Sequence, residues 1–245
     1  MFQNITPITK NIIILNVIVF ILAFIFPQLN TYLAAYYPTS PNFKSWQIIT
    51  HMFMHGGFMH IAFNMLTFAS FGPVLERFLG EKKFLILYFL SGLGALFLNL
   101  AWETYQLNFI INELNLQNAN IPLLSSEADI IKNNLSTYEI NLLFQQRDIE
   151  SIYKQAMISR MVGASGALFG VVAAFALLYP NAEMYIMFIP FPIKAKVLFP
   201  ISIIVSLYLG FSGSGGNIAH FAHIGGALVG YILIKIWGRN RYRIN

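Results

Sequence analysis

Apolar residues gather in six long runs separated by polar stretches: about Ile12 to Phe26, Phe58 to Leu75, Phe84 to Ala101, Val162 to Tyr179, Ala195 to Phe211 and Ile218 to Trp237. Each approaches the ~20 residues that an α-helix needs to cross a bilayer. The pattern predicts an all-α integral membrane protein with six transmembrane helices. The first run is the shortest, and no small-residue cleavage site follows it. It reads as a retained helix rather than a cleaved leader.

The short loops between the runs carry the basic residues unevenly. Lys10 precedes the first run. Arg77, Lys82 and Lys83 join the second to the third, and Lys194 and Lys196 join the fourth to the fifth. Lys235, Arg239, Arg241 and Arg243 close the chain, so ten of the fifteen Lys and Arg residues fall on one side. Cytoplasmic loops are enriched in Lys and Arg, which puts that side, and both termini, in the cytoplasm. Runs two, four and six then all start at the outer face, and their first turns share one depth.

The other side holds Gln28 to Gly57, Trp102 to Met161 and a short glycine-rich turn near Ser212 to Asn217. Residues 102–161 form the one sizeable hydrophilic stretch. Ser136 and Glu139 have the spacing of a capping box. Ile140, Leu143, Phe144, Ile152, Tyr153 and Ala156 fall partly on one helical face, which predicts an amphipathic external helix. No internal repeat and no soluble second domain is visible. Residues 1–245 read as one membrane domain with an external insert at 102–161.

Composition supports the membrane reading. Charged residues are 10% of the chain and the mean hydropathy is +0.62, against roughly a quarter charged in soluble domains. There is no cysteine, which excludes disulfides, thiolate metal sites and cysteine nucleophiles. The net charge of +5 is scattered beside apolar runs, with no cationic tract to hold a nucleic acid.

Candidate chemistry enters where polar residues interrupt the outer turns. All five histidines lie in two places: His51, His55 and His60 in one, His220 and His223 in the other. Ionisable groups inside spans are costly and usually functional. His60, Asn64, Ser165 and His223 come from three runs at matching depth. Ser165 opens the fourth run, where backbone N–H groups lack intrahelical partners and the helix dipole is positive. Gly166, Gly170 and Ala174 follow at four-residue spacing, and Ala222, Gly226 and Gly230 repeat that stripe in the sixth run; Gly163 adds a further small residue beside Ser165. Small-residue stripes let helices approach closely. On its own, a serine in such a helix is one more packing residue. A histidine bordering the facing stripe at the same depth turns it into a candidate nucleophile, with His223 as its base. His60 and Asn64, four apart, share one helical face and can each donate a hydrogen bond to an oxyanion; a helix-bridging polar pair is the alternative.

A metal hydrolase is disfavoured. No His-Glu-x-x-His occurs, there is no cysteine, and no carboxylate lies within the assigned runs. His51 and His55 are expected to help fold the entry into the second run, and His220 to face the aqueous opening. With no acid in a span to orient His223, the economical arrangement is a Ser–His dyad, and no metal or cofactor is expected.

These residues resemble the rhomboid family of intramembrane serine proteases. The resemblance rests on "WQIITHMFMHGGFMHIAFNM", "FGPVLERFLGEKKFLILYFLSG", "GASGALFG" and "AHFAHIGGALVG", in family order. It covers nearly the whole chain outside 102–161. It implies a six-helix bundle with a water-filled active site open to the outer side. In it Ser165 is the nucleophile, His223 the general base and then acid, and His60, Asn64 and the Ser165 N–H the oxyanion donors. Glu76 and Gly80 match a structural Glu-x-x-Gly region. The loop carrying Trp46 resembles a membrane-embedded first external loop, with Gln47 where arginine is frequent. The six-helix, bacterial-type form implies a bacterial cytoplasmic (inner) membrane and a single-pass transmembrane protein as substrate. The rival reading is a non-catalytic binder of transmembrane helices or a transporter. Presence of both Ser165 and His223 argues against the first, and the want of an intramembrane carboxylate against the second. Oligomeric state has no signal in the chain.

Overall fold

The computed structural model describes residues 5–113, 158–185, 191–212 and 218–239. It is mostly helical. Five helices are long and apolar enough to cross a membrane, and a sixth apolar helix is shorter. In chain order the long elements are α1 (Pro7–Ile25), α4 (Phe58–Leu79), α5 (Glu81–Glu113), α6 (Ser165–Leu178), α7 (Ala195–Ser212) and α8 (His220–Arg239). Between α1 and α4 lie two short helices, α2 (Leu29–Leu33) and α3 (Gln47–Thr50), and the strand β1 (Ala35–Tyr36). Each predicted run thus carries a helix. The amphipathic helix expected around Ile140 to Ala156 lies outside the described residues.

The centre of the bundle is α5, α6 and α8, which pack on one another; α4 closes against α6 and α5, α1 packs on α4, and α7 lies against α8 and α6. Helix α6 is apolar all round and mostly buried, as a helix enclosed by others must be. It has 14 residues, about 21 Å, which is short of the ~30 Å hydrocarbon core. Helix α7 is the opposite case, with only Ala195 and Ser206 buried along its length.

Several helix ends differ from the sequence reading, α1 for example beginning at Pro7 rather than Ile12, and two of the extensions bring in new contacts. Helix α5 continues past Ala101 to Glu113, because Trp102 has something to pack on: its ring stacks on Phe221 at 4.0 Å and meets Phe211 edge-on at 5.1 Å. Helix α4 continues past Leu75 to Leu79, which brings the buried Glu76 inside it. That carboxylate caps the start of α1. It accepts hydrogen bonds from the Ile8 N–H (3.0 Å), the Thr9 N–H and hydroxyl (both 2.8 Å) and the Thr6 hydroxyl. Orphan amides at a helix start favour an anion in this place. A carboxylate therefore does lie on a bundle helix, but its bonding ties α1 to α4. Gly80, with φ of 78°, makes the tight turn from α4 into α5 that a side chain would strain.

The first external loop is held by Gln47. It is fully buried, accepts from the Lys44 N–H (3.0 Å) and donates to the carbonyls of Asn42 (3.0 Å), Thr31 and Tyr32 (both 3.3 Å). The neutral amide thus does the tying at the position where arginine is frequent. Trp46 donates to the Tyr32 carbonyl at 2.9 Å and its ring lies 4.8 Å from that of Tyr32. Strand β1 pairs antiparallel with β2 (Arg160–Met161), which ties this loop to the segment leading into α6. On the other side of the bundle, β3 (Glu183–Met184) and β4 (Ile193–Lys194) pair between α6 and α7.

Candidate active site

Ser165 is the first residue of α6, and no side chain caps that helix. The amides of its first turn are therefore free to act on a ligand. The chain reaches Ser165 through Gly163, whose φ of 123° suits glycine alone. The Gly163 N–H donates to the His51 carbonyl at 3.0 Å. A Cβ added at Gly163 would stand 2.8 Å from Cε1 and 2.9 Å from Nε2 of His60, and 3.7 Å from the Ser165 Oγ. Gly163, the small residue expected to serve packing at the site, meets a neighbouring helix through His60 and not through the stripes. It lets the edge of the His60 ring lie against the turn beside the serine.

The dyad geometry is direct. His223 Nε2 lies 3.1 Å from Ser165 Oγ, across α8 and α6. The two small-residue stripes meet beside this contact. A Cβ on Gly226 would run into the Gly166 backbone, 2.7 Å from its carbonyl carbon and closer to its oxygen. On Gly170 it would stand 2.8 Å from the Gly226 oxygen, and on Gly230 2.7 Å from the Gly170 Cα. A second small-residue contact, absent from the sequence reading, joins α5 to α8: a Cβ on Gly94 would be 3.2 Å from the Gly225 oxygen. Sequence reasoning also missed Phe169, whose ring is stacked on His223 at 4.1 Å and 3°. Its spacing of four from Ser165 put it on the same face of α6, and that was the available signal.

His60 and Asn64 lie one turn apart on α4. His60 Nδ1 accepts from the Gly56 N–H at 3.4 Å. That bond favours the tautomer with the proton on Nε2, the edge that faces Gly163. Asn64 is buried, and its amide nitrogen has no hydrogen-bond partner. A buried donor left unpaired costs about 1–3 kcal/mol, so this one is available to a ligand. Ser165, His60 and His223 each keep partial solvent access within otherwise buried surroundings.

The other histidines divide. His51 Nδ1 bonds the Gln47 carbonyl at 2.8 Å, in keeping with a role in the entry loop. His55 is buried with its ring 5.1 Å from that of His60. Both lie outside the membrane-spanning helices. Burial pushes each imidazole down to about 4, helped for His55 by its neighbour His60, so both are neutral near pH 7. His220, expected at the aqueous opening, is instead buried at 8% exposure beside the start of α8. Among the described residues no group of three or more His, Asp or Glu is placed to hold a metal ion.

A family model described as "Rhomboid domain" matches residues 42–109 and 137–240. Among curated proteins, the chain is 24% identical over 207 residues to Rhomboid-like protease 3 of Toxoplasma gondii, covering 84% of this chain and 57% of that one. It is 25% identical over 185 residues to Rhomboid protein 1, mitochondrial, of Saccharomyces cerevisiae, covering 76% and 40%. It is 24% identical over 238 residues to Rhomboid protease AarA of Providencia stuartii, covering 92% and 70%. The chain spans about half the length of the first two of these relatives.

Proposed function

The chain belongs to the rhomboid family, and on that premise we propose that it is an intramembrane serine endopeptidase that cleaves single-pass transmembrane proteins with a Ser165–His223 dyad. The observation that carries this is the 3.1 Å approach of His223 Nε2 to Ser165 Oγ at the uncapped start of α6, inside the 2.6–3.2 Å range of an activated nucleophile.

Neutral His223 takes the hydroxyl proton on Nε2 as Ser165 Oγ attacks the scissile carbonyl carbon. The oxyanion that forms is stabilised by the Ser165 N–H, the unpaired Asn64 amide and the Nε2–H of His60. As the C–N bond breaks, the imidazolium protonates the leaving amine. Water then attacks the acyl-enzyme, His223 accepts its proton, and collapse of the second intermediate returns that proton to Ser165. No metal or cofactor takes part.

The same reading sets the site below the outer surface. Gly166 packs against Ala95 on α5, and Trp102, an interfacial residue type, lies seven residues farther out, or about 10 Å. A substrate helix must lose its hydrogen bonds to present an extended bond at Ser165, which favours helix-destabilising residues near the cut. Both termini are cytoplasmic and 102–161 external in this orientation.

The test is reaction with a fluorophosphonate in proteoliposomes. Wild type should be labelled at Ser165 and should cleave a single-pass reporter. Folded Ser165→Ala should do neither. Cleavage that persists in folded Ser165→Ala would remove the mechanism.

A further inference from the structure

His55 is a buried ionisable side chain beside the site for which the proposed chemistry has no use. It is 4% exposed. The Phe53 backbone lies close, yet neither ring nitrogen has a hydrogen-bond partner of ordinary geometry. A buried donor left unpaired is costly, so what this ring contributes is its surface rather than a hydrogen bond. That surface meets His60. The two rings stand edge to face, with centroids 5.1 Å apart and planes at 70°, an arrangement that aromatic pairs prefer.

His60 has a complementary need. To donate to an oxyanion, its Nε2–H must be held within about 0.5 Å and 10–20° of the productive direction. Rotation of an imidazole about its Cβ–Cγ bond has broad minima, so that torsion does not fix the direction by itself. Two edges of the ring have other neighbours. The Cε1–Nε2 edge lies against Gly163, where an added Cβ would stand 2.8 and 2.9 Å from those atoms. Nδ1 receives the Gly56 N–H at 3.4 Å, a long bond. A bare glycine on one edge and a long bond on another still let the ring turn. Among the described residues, His55 is the aromatic ring in contact with it. His55 precedes α4 and belongs to the loop whose His51 carbonyl accepts the Gly163 N–H at 3.0 Å. One loop thus supports His60 on two sides, through Gly163 and through the His55 ring.

We propose that His55 is a positioning residue for His60: its buried ring blocks rotation of the His60 imidazole and keeps the Nε2–H aimed at the developing oxyanion. This rests on the reading of His60 as an oxyanion donor.

His55→Leu fills the space without a flat ring, and His55→Phe keeps the ring without its nitrogens. Each is measured in proteoliposomes for reporter kcat and KM, with Tm alongside, in wild type and in His60→Ala. His55→Leu should lower kcat roughly tenfold, the upper worth of one aromatic pair, with KM unchanged. Its Tm should hold or rise, since unpaired buried nitrogens are gone. His55→Phe should stay within about threefold of the wild-type kcat, because the edge-to-face contact survives. In the His60→Ala background, His55→Leu should cost nothing further, as expected when one residue acts through the other. Wild-type kcat in His55→Leu overturns the proposal. So does an equal loss in the Leu and Phe variants, a loss that follows KM or Tm, or a full additional loss on top of His60→Ala, because those outcomes mark general packing. His60→Ala with wild-type kcat refutes the donor reading and this proposal with it. Wild type that never labels with fluorophosphonate at Ser165 refutes the dyad, a result distinct from all of these.

Discussion

A single methyl group placed at Gly226 should disable the dyad without touching it. Gly226 lies one turn below His223 on α8 and faces Gly166, the neighbour of Ser165, on α6. An alanine Cβ there would be 2.7 Å from the Gly166 carbonyl carbon and nearer its oxygen, and 3.3 Å from the Ser91 oxygen on α5. These are backbone atoms of two enclosed helices, so no side chain can swing away. Close-packed interiors do not absorb such overlap, and relief requires α8 to move from α6 by on the order of 1 Å. The 3.1 Å Ser165–His223 contact would open past hydrogen-bonding distance, and a misplacement of that size costs roughly 10²-fold in rate. The control is Gly238→Ala on the same helix, where an added Cβ meets nothing within 4 Å; it should be neutral or stabilising by up to ~1 kcal/mol from helix propensity. Fluorophosphonate labelling rate and thermal unfolding, measured together in detergent, report the two effects separately. Gly226→Ala that unfolds near the wild-type temperature and labels Ser165 at the wild-type rate would refute the claim that the stripes set the dyad.

Asn64→Ala should lower kcat about 10²-fold, as expected when one oxyanion donor is lost, while Tm holds or rises because an unpaired buried amide is gone; the reverse pattern, lower Tm with normal kcat, would make Asn64 a packing residue. Gln47→Leu should lower Tm by leaving three backbone groups of the first loop, the Lys44 N–H and the Thr31 and Asn42 carbonyls, without their partner, at roughly 1 kcal/mol each, and an unchanged melt would show that the loop is held elsewhere. Acid should loosen the same region. His51 and His55 titrate at about 4 when folded, below the ordinary 6.5, so the unfolded chain binds protons first. The stability of their neutral rings is intact above pH 6.5 and falls as the pH drops toward 4. The loss for the two together is roughly 4 kcal/mol by pH 5. Melts between pH 7 and 5 that do not shift would contradict this burial.

Membrane residence is a local property and was legible along the chain. In lipid every backbone group must bond within its own segment, so each spanning helix announces itself as a continuous apolar run. Ser165, His223, His60 and Asn64 stood out because polar groups in such runs are few, and the glycine stripes because four-residue spacing marks one helix face. Distances between helices are not local. The position of Nε2 relative to Oγ depends on two backbones in contact through Gly166, Gly170, Gly226 and Gly230. The role of Gly163 depends on a His60 ring from another helix pressing on a left-handed turn. The continuation of α5 to Glu113 depends on Trp102 finding Phe221, more than a hundred residues away, and the burial of His220 on the packing of α7 and α8. Gln47 reads as an ordinary polar residue until four backbone groups from two sides of the loop meet at its amide. In each case the deciding partner is distant in sequence, and only close packing of the folded chain brings it within the few ångströms over which hydrogen bonds and contacts act.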